Sequence, residues 1–219
     1  MEQRPSPCTH LDHLAVVAPT LDAGSRFVRE ALGVEVQEGG SHPRMGTHNR
    51  LLRLGDFVYL EVIAPDPAAS GVERRRWFDL DAITPWTPPR LAAWIARTGD
   101  IRAARAACVE DLGTVEPMSR GALSWLITIP PDGTLPLGGA APALIEWQTA
   151  PHPASRLPDA GCALVGLEIH HPDPARVEAV LASLGFSGPV TVDGLPAGAA
   201  PRLVAHVQTA QGMRRLAAP

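Results

Sequence analysis

Residues 11–36 read LDHLAVVAPTLDAGSRFVREALGVEV, and this stretch decides the fold. The apolar run over 11–18 predicts a strand, and the apolar residues after it fall near helical spacing. Leu32 and Gly33 end the predicted helix, because glycine after the last apolar position is a common helix stop. A second strand is predicted from Val34, so the stretch is a strand-helix-strand segment.

The same layout occurs twice more along the chain. Residues 90–117, RLAAWIARTGDIRAARAACVEDLGTVEP, predict a strand, a helix that carries apolar residues as far as Leu112, a glycine and a further strand. Residues 162–186, CALVGLEIHHPDPARVEAVLASLGF, form a third and partial copy whose helix also ends in Leu-Gly. One supersecondary unit used several times defines an architecture, so these copies predict a modular fold.

The first two copies also continue alike. The first adds THNRLLRL at 47–54 and FVYLEVIAP at 57–65, and the second adds ALSWLITI at 122–129 and ALIEWQTAP at 143–151. Each final strand carries a glutamate inside an apolar run, Glu61 in the first copy and Glu146 in the second. We therefore predict an α+β fold class built from two βαβββ modules.

The modules define the predicted domains. A first domain covers residues 8–150 and contains the modules at 8–65 and 90–150, with a proline-rich linker between them. Residues 151–219 are predicted to form a C-terminal partial third module, βαββ, packed on the first domain.

The composition of the 219 residues excludes several classes of function. The net charge of −4 gives no general attraction to nucleic acid or to anionic membranes, so neither partner is expected. No lysine occurs, which excludes Schiff-base chemistry on a lysine and the lysine-dependent phosphate loop. Three widely spaced cysteines predict no disulfide framework. No apolar run marks a signal peptide or a membrane span, so a cytoplasmic protein is expected.

The polar residues His48, Arg50 and Glu61 lie in one predicted β-hairpin. If Gly55-Asp56 forms a two-residue turn, Arg50 lies opposite Glu61, and strand alternation puts His48 on the same face. Glu61 is then either a charge neutralised by Arg50 or part of a site. A register slip of one residue moves Glu61 to the face opposite Arg50.

The paired modules, the histidine early in the first strand and the glutamate in each last strand resemble the vicinal oxygen chelate superfamily. That superfamily includes glyoxalase I, epimerases, extradiol dioxygenases and antibiotic-resistance proteins. More narrowly, LDHLAVVAP and HPRMGTHNRLLRLGDFVYLEVIAPDP are similar to the glyoxalase-like domain family, over residues 10–150. The resemblance implies a curved mixed sheet around a cavity, with ligands that project inward from the first and last strands of each module.

The resemblance also implies a metal site. His13 matches the ligand on the first strand, and Glu61 and Glu146 match the ligands on the two last strands. Ala93 stands where the fourth ligand is expected, and alanine cannot coordinate a metal. One histidine and two carboxylates can still hold a divalent ion such as Mn, Fe, Ni or Zn with positions open for substrate oxygens. No organic cofactor is predicted.

The predicted function is a small-molecule enzyme of the glyoxalase-like type, with isomerase, lyase or dioxygenase chemistry. In this scheme a metal binds two neighbouring substrate oxygens while His48 or a carboxylate moves a proton, and Arg50 is a candidate for binding a substrate carboxylate. A hydrogen-bonded rim position for His48 stays open.

Two alternatives without a metal also stay open. One is a small-molecule binding or sequestration protein, and the other is a hydrolase or isomerase that uses His48 and Glu61 directly. The partner is a small molecule in every case, and the chain is predicted to be a monomer or a homodimer.

Other polar and aromatic residues are weaker candidates. His42 is predicted to order its loop, with a ligand contact left open as the alternative, and His152 is predicted to be structural or exposed. Trp125 and Trp147 lie on predicted strands of the second module, and such residues belong more often to a core than to a cavity wall.

Overall fold

The computed structural model describes residues 7–218, which fold into thirteen strands and three α-helices. The strands are β1 Thr9–Val17, β2 Gln37–His42, β3 Thr47–Arg53, β4 Tyr59–Pro65, β5 Arg90–Thr98, β6 Thr114–Arg120, β7 Leu123–Ile129, β8 Ala143–Trp147, β9 Ala163–His171, β10 Phe186–Ser187, β11 Val190–Gly194, β12 Arg202–Thr209 and β13 Gly212–Ala217. The helices are α1 Leu21–Leu32, α2 Ile101–Ala107 and α3 Pro174–Ser183.

The large sheet contains the strands of both modules in the order β2-β3-β4-β1-β5-β8-β7-β6. Antiparallel pairing of β1 with β5 at its centre joins the two halves. The sheet curls until its end strands approach each other, and there Arg44, between β2 and β3, donates to the backbone oxygen of Pro117 in β6 at 2.8 Å. This curled mixed sheet with few helices confirms the predicted α+β class and the paired βαβββ modules.

Helix α1 forms where the sequence predicts it, but α2 ends earlier. Thr20 Oγ1 accepts a hydrogen bond from Ala23 N–H at the start of α1, and Gly33 closes it with a left-handed φ of 74°. In the second module the predicted helix runs to Leu112, whereas α2 ends at Ala107. Asp111 accepts a hydrogen bond from the N–H of Gly113, a local turn that competes with a helix.

The hairpin between β3 and β4 has a register one residue away from the predicted one. Leu54 N–H donates to Val58 O at 2.9 Å, so the loop has three residues instead of two. Glu61 consequently lies opposite Leu51, while Arg50 lies opposite Val62. The predicted shared face of Arg50 and Glu61 is wrong, because one extra loop residue shifts every pair by one.

Apolar clusters cover both faces of the large sheet. The outer cluster joins α1 and α2 to the C-terminal segment, whose own sheet has the order β11-β9-β12-β13. Strand β10 adds to the edge of β1 in parallel. The inner cluster joins the concave face to Trp77, Phe78 and Leu80 from the long connection between β4 and β5. That connection therefore folds into the curl of the sheet.

None of the helices in residues 7–218 is both long and apolar enough to span a bilayer.

Candidate active site

A cavity of about 30 Å³ lies on the inner face of the curled sheet, between its two halves. This volume has room for about two water-sized groups. Its polar wall consists of His13, His42, Asn49, Tyr59, Glu61 and Arg120. Its apolar wall consists of Trp77, Phe78, Trp125, Ile127, Ile145 and Trp147. The first module supplies all of the polar side chains except Arg120, and the second supplies most of the apolar ones.

His13 and Glu61 face each other in the polar wall. Ala15 in β1 pairs with Glu61 in β4, so His13, two residues before Ala15, points to the same face. His13 Nε2 lies 3.8 Å from Glu61 Oε2, and both side chains are more than nine-tenths buried. Asn49 Nδ2 donates to Glu61 Oε1 at 2.5 Å and fixes the carboxylate.

Asp12 holds the His13 ring from behind. It is fully buried and lies at a β-bulge between β1 and β5, an irregularity that re-aims side chains. Its carboxylate accepts hydrogen bonds from His13 Nδ1 at 2.6 Å, His152 Nε2 at 2.9 Å and Trp147 Nε1 at 3.0 Å. Burial alone raises its pKa, but the hydrogen bonds from His13 and His152 hold the pKa of Asp12 well below its usual value. Asp12 is therefore an anion that orients His13 with Nε2 toward Glu61.

Tyr59 supports the same ring by stacking. The rings of His13 and Tyr59 lie 4.5 Å apart with an interplanar angle of 14°. Burial, together with the charges of Asp12 and Glu61, raises the pKa of Tyr59 well above its usual value. Tyr59 thus presents a neutral phenol and restricts the orientation of His13.

Arg120 crosses from the second half of the sheet to the first, where the end strands approach each other. Its Nη1 donates to Asn49 Oδ1 at 2.9 Å and lies 3.4 Å from His42 Nε2. Burial lowers the pKa of His42 to about 4; the negative charge of Glu61 opposes this shift, and the positive charge of Arg120 adds to it. His42 is therefore neutral at pH 7 and accepts from Arg120, while its Nδ1 lies 3.2 Å from Thr47 Oγ1.

Two glycines in β2 make room for this arrangement. A Cβ atom on Gly39 would lie 2.1 Å from Asn49 Oδ1, and one on Gly40 would lie 3.0 Å from Arg120 Cδ. The N–H of Gly40 donates to Asn49 Oδ1 at 2.9 Å. The Gly-Gly pair lets Asn49 and Arg120 approach the backbone of β2, a contact that larger residues would block.

The structure separates two predicted catalytic residues from the cavity. His48 and Arg50 lie on the face of β3 that is turned away from Glu61. Arg50 donates instead to Glu38 at 2.9 Å and to Asp22 at 2.8 Å, beside α1. The predicted grouping of these two residues with Glu61 depended on a two-residue turn, and the three-residue loop removes it.

Glu146 also points away from the cavity. Its two neighbours along β8 line the cavity, so strand alternation turns Glu146 to the outer face. There its Oε2 accepts from the N–H of Ile101 at 2.8 Å, at the start of α2. The predicted ligand set of His13, Glu61 and Glu146 is therefore not assembled.

The donor atoms present do not fit a divalent metal ion. Within residues 7–218, no three His, Cys, Asp or Glu side chains are arranged to hold one. At the expected fourth position, Ala93 belongs to the inner apolar cluster with Trp77. His13 and Glu61 are two donors, whereas protein-held transition-metal sites usually supply three or four.

Sequence reasoning missed Asp12, Trp77 and Arg120, and it favoured structural or surface roles for His42 and His152. Asp12 carries a signal, because it is a charged residue beside a histidine inside an apolar strand. Arg120 carries none, since its contacts depend on how far the sheet curls and not on local spacing.

The paired βαβββ modules and the curled sheet around a cavity define the vicinal oxygen chelate fold. More narrowly, the chain belongs to the glyoxalase-like domain family, whose model matches residues 11–185. The match continues past the two modules into β9 and α3. No curated protein matches the sequence.

Solved structures share the fold at low sequence identity. A hypothetical protein from Staphylococcus aureus is 12% identical, with a TM-score of 0.61 over 85% of this chain and 86% of that one. Methylmalonyl-CoA epimerase from Mycobacterium tuberculosis is 18% identical, with a TM-score of 0.41 over 64% and 88%. A methylmalonyl-CoA epimerase in complex with methylmalonyl-CoA and NH4+ is 21% identical, with a TM-score of 0.43 over 66% and 99%. The likeness to the Staphylococcus aureus protein concerns the fold alone.

Proposed function

We propose that the protein is an enzyme that moves a proton on a small carbon acid, with Glu61 and His13 as its acid-base pair. The observation that carries the proposal is their facing arrangement in the cavity wall, with Nε2 and Oε2 3.8 Å apart. Such a pair serves isomerase and lyase chemistry, in which a proton next to a carbonyl group is removed. Membership of the glyoxalase-like family supports a small-molecule substrate.

The pair is suited to hold one proton between two basic atoms. Asp12 accepts the hydrogen on Nδ1 of His13, so neutral His13 turns a lone pair toward the Glu61 carboxylate. Two facing lone pairs repel in a buried site, and a proton on either Nε2 or Oε2 removes the repulsion. The pair then contains one acidic and one basic member.

In the proposed reaction, Glu61 removes the proton from the carbon next to the substrate carbonyl group. The electron pair of the broken C–H bond moves into an enolate, and the enolate oxygen accepts a hydrogen bond from protonated His13. Asp12 stabilises the positive charge on His13. Return of the proton to the same or a neighbouring carbon completes an isomerisation, and loss of a leaving group completes an elimination.

The proposal assigns no step to a metal ion, since the donor set does not fit one. Metal analysis of protein purified without chelator tests this point. We expect a metal content far below one equivalent that does not rise on reconstitution. Stoichiometric, tightly bound metal that is lost in His13→Gln would overturn the proposal, because His13 would then be a ligand and not an acid.

A second candidate is a small-molecule binding protein without turnover. The cavity wall from the second module is apolar, with Ile127 and Ile145 beside Trp125, and an apolar wall suits retention of a ligand. This candidate predicts ligand binding with no change in the bonds of the ligand.

Hydrogen-deuterium exchange distinguishes the two candidates. Small carbon acids such as pyruvate, 2-oxobutyrate and hydroxyacetone are incubated with the protein in D2O, and loss of the C–H signal is followed by proton NMR. We expect exchange above the buffer rate and a decrease of about 100-fold or more in Glu61→Gln, which is the usual contribution of a general base.

Glu146→Gln is the matched control, since this glutamate occupies the last strand of the other module and faces outward. It should exchange at the wild-type rate. Equal rates for Glu61→Gln and wild type would exclude Glu61 as the base. Saturable binding without exchange in wild type would favour the binding protein.

A further inference from the structure

We propose that the cavity selects a small carboxylate, whose oxygens accept hydrogen bonds from Arg120 and from Trp77 Nε1. The inference deepens the proposed function, on which its link to turnover rests, by naming the substrate class. It depends on two donors in the cavity wall that the acid-base pair does not use.

The first donor is the guanidinium group of Arg120. This half-buried side chain uses Nη1 for Asn49 and His42, both neutral groups at pH 7. Within residues 7–218 no carboxylate lies within ion-pair distance of Arg120, although Arg44 and Arg74, near the same end of the sheet, both pair with Glu116. A cation with neutral partners in a partly desolvated wall favours an anion beside it, and a guanidinium fork fits a carboxylate.

The second donor is the indole of Trp77. Its ring lies in the cavity wall with only 5% of its surface exposed, and Nε1 is buried without a hydrogen-bond partner. A buried donor without an acceptor has lost its water without a replacement, so a ligand oxygen that reaches it restores a hydrogen bond. Trp77 thus supplies a second, independent donor beside this cavity that has no acceptor.

The cavity volume limits the size of the molecule. A space of about 30 Å³ holds only a few non-hydrogen atoms. A second space of about 80 Å³ adjoins it at His42 and Trp125, near the approach of β2 to β6. Acids of four to six non-hydrogen atoms, such as acetate and pyruvate, suit these dimensions.

The carboxylate and the acid-base pair occupy different parts of the wall. Asn49 lies between them, because its amide nitrogen donates to Glu61 and its oxygen accepts from Arg120. A carboxylate on Arg120 therefore leaves the rest of the substrate, its carbonyl group and the C–H carbon beyond it, on the side of Glu61 and His13. This spacing makes a 2-oxo acid, which has a carbonyl group next to its carboxylate, the class that meets both sets of residues.

Binding of a matched pair of probes tests the inference. Pyruvate and pyruvamide have the same number of non-hydrogen atoms, but only pyruvate is charged, and saturation-transfer NMR gives the Kd of each. We expect wild type to bind pyruvate at least tenfold more tightly than pyruvamide. Arg120→Gln should weaken pyruvate binding at least tenfold, and Trp77→Phe, which keeps the ring and removes the N–H, about threefold or more.

Arg50→Gln, on the opposite face of β3, is the control and should bind pyruvate as wild type does. Thermal unfolding and near-ultraviolet circular dichroism establish that each variant is folded. Equal affinity for pyruvate and pyruvamide, no saturable pyruvate binding, or unchanged affinity in both Arg120→Gln and Trp77→Phe would overturn the inference.

The exchange assay separates this failure from a failure of the proposed function. If hydroxyacetone, which has no carboxylate, exchanges its protons but pyruvate is not bound selectively, the acid-base pair is supported and the carboxylate site is refuted. If pyruvate binds selectively, in an Arg120-dependent way, but does not exchange, the carboxylate site is supported and the catalytic role of Glu61 is refuted.

Discussion

The two modules of the large sheet share a layout but differ in what their inner faces carry. The first places His13, Asn49 and Glu61 in the cavity wall, whereas the second places Ile127 and Ile145 there. The polar residues of the first module therefore lie against an apolar wall, which strengthens the electrostatic interactions among them. The repeated sequence pattern gives both modules the same backbone fold, but the side chains on their inner faces differ in polarity.

The two strand glutamates show the difference most directly. Glu61 is buried beside His13, while Glu146 accepts a hydrogen bond from the first residue of α2. Both occupy an apolar run in the last strand of a module. Strand phase alone decides that one faces the cavity and the other a helix.

The largest effect that would test this contrast is expected from Asp12, the anion of the first module. Asp12→Ala removes the acceptor of one buried and two partly buried donors, and we expect a loss of about 3–5 kcal/mol in the free energy of unfolding, as for other buried charge networks that lose one partner. Chemical denaturation measures it. The exposed carboxylate of Asp22 is the control, and Asp22→Ala should cost less than about 1 kcal/mol. Similar losses for both variants would contradict the assigned network.

A pH effect of similar size is expected from His42. Its pKa of about 4 lies below the usual value of 6.5, so the unfolded chain binds more protons than the folded one between these two pH values. Stability therefore decreases as the pH falls from 6.5 to 4, by about 3 kcal/mol from this residue alone. The free energy of unfolding, measured by chemical denaturation at several pH values in this range, should change less with pH in His42→Gln than in wild type. His10→Gln, at an exposed position, should leave the slope unchanged, and an equal slope for His42→Gln would refute the assignment.

A moderate difference is expected between the two glutamates. Glu61→Ala leaves Asn49 Nδ2 without its acceptor and removes the carboxylate that faces His13, and it should cost about 2–3 kcal/mol. Glu146→Ala removes an acceptor at the start of α2 and should cost about 1 kcal/mol, as for other lost helix caps. The two variants are compared by the midpoint of urea unfolding. Equal costs would mean that the modules are equivalent at these positions.

The smallest effect is expected on the outer face of β3. Arg50 pairs with Asp22 and Glu38, which are 83% and 82% exposed. Arg50→Ala should change the free energy of unfolding by less than about 1 kcal/mol, and the change should shrink at high salt. His48→Gln should leave proton exchange on small carbon acids at the wild-type rate. A loss of exchange in His48→Gln would show that this histidine takes part in the reaction.

The sequence predicts the fold well because the repeat is a local signal. Apolar periodicity and the Leu-Gly stops give the modules, and burial of polar groups in apolar strands marks His13 and Glu61. The predicted hairpin register is wrong because the sequence Gly55-Asp56 does not distinguish a two-residue loop from a three-residue one. With the observed register, alternation alone brings Asn49 beside Glu61. Arg120 and Trp77 reach the cavity through tertiary curvature, which no short window of sequence contains.

The two end strands of the large sheet, β2 and β6, meet beside the cavity, and they can separate without unfolding of the sheet. Across residues 7–218 these strands form no backbone ladder with each other; Arg120 of β6 contacts His42 of β2, and Arg44, just after β2, pairs with Glu116 of β6. Separating them breaks contacts of half-exposed charged groups and leaves the peptide hydrogen bonds of the sheet intact. The contact between the two ends of the sheet should therefore weaken as ionic strength rises, while the hydrogen-bonded sheet itself should not.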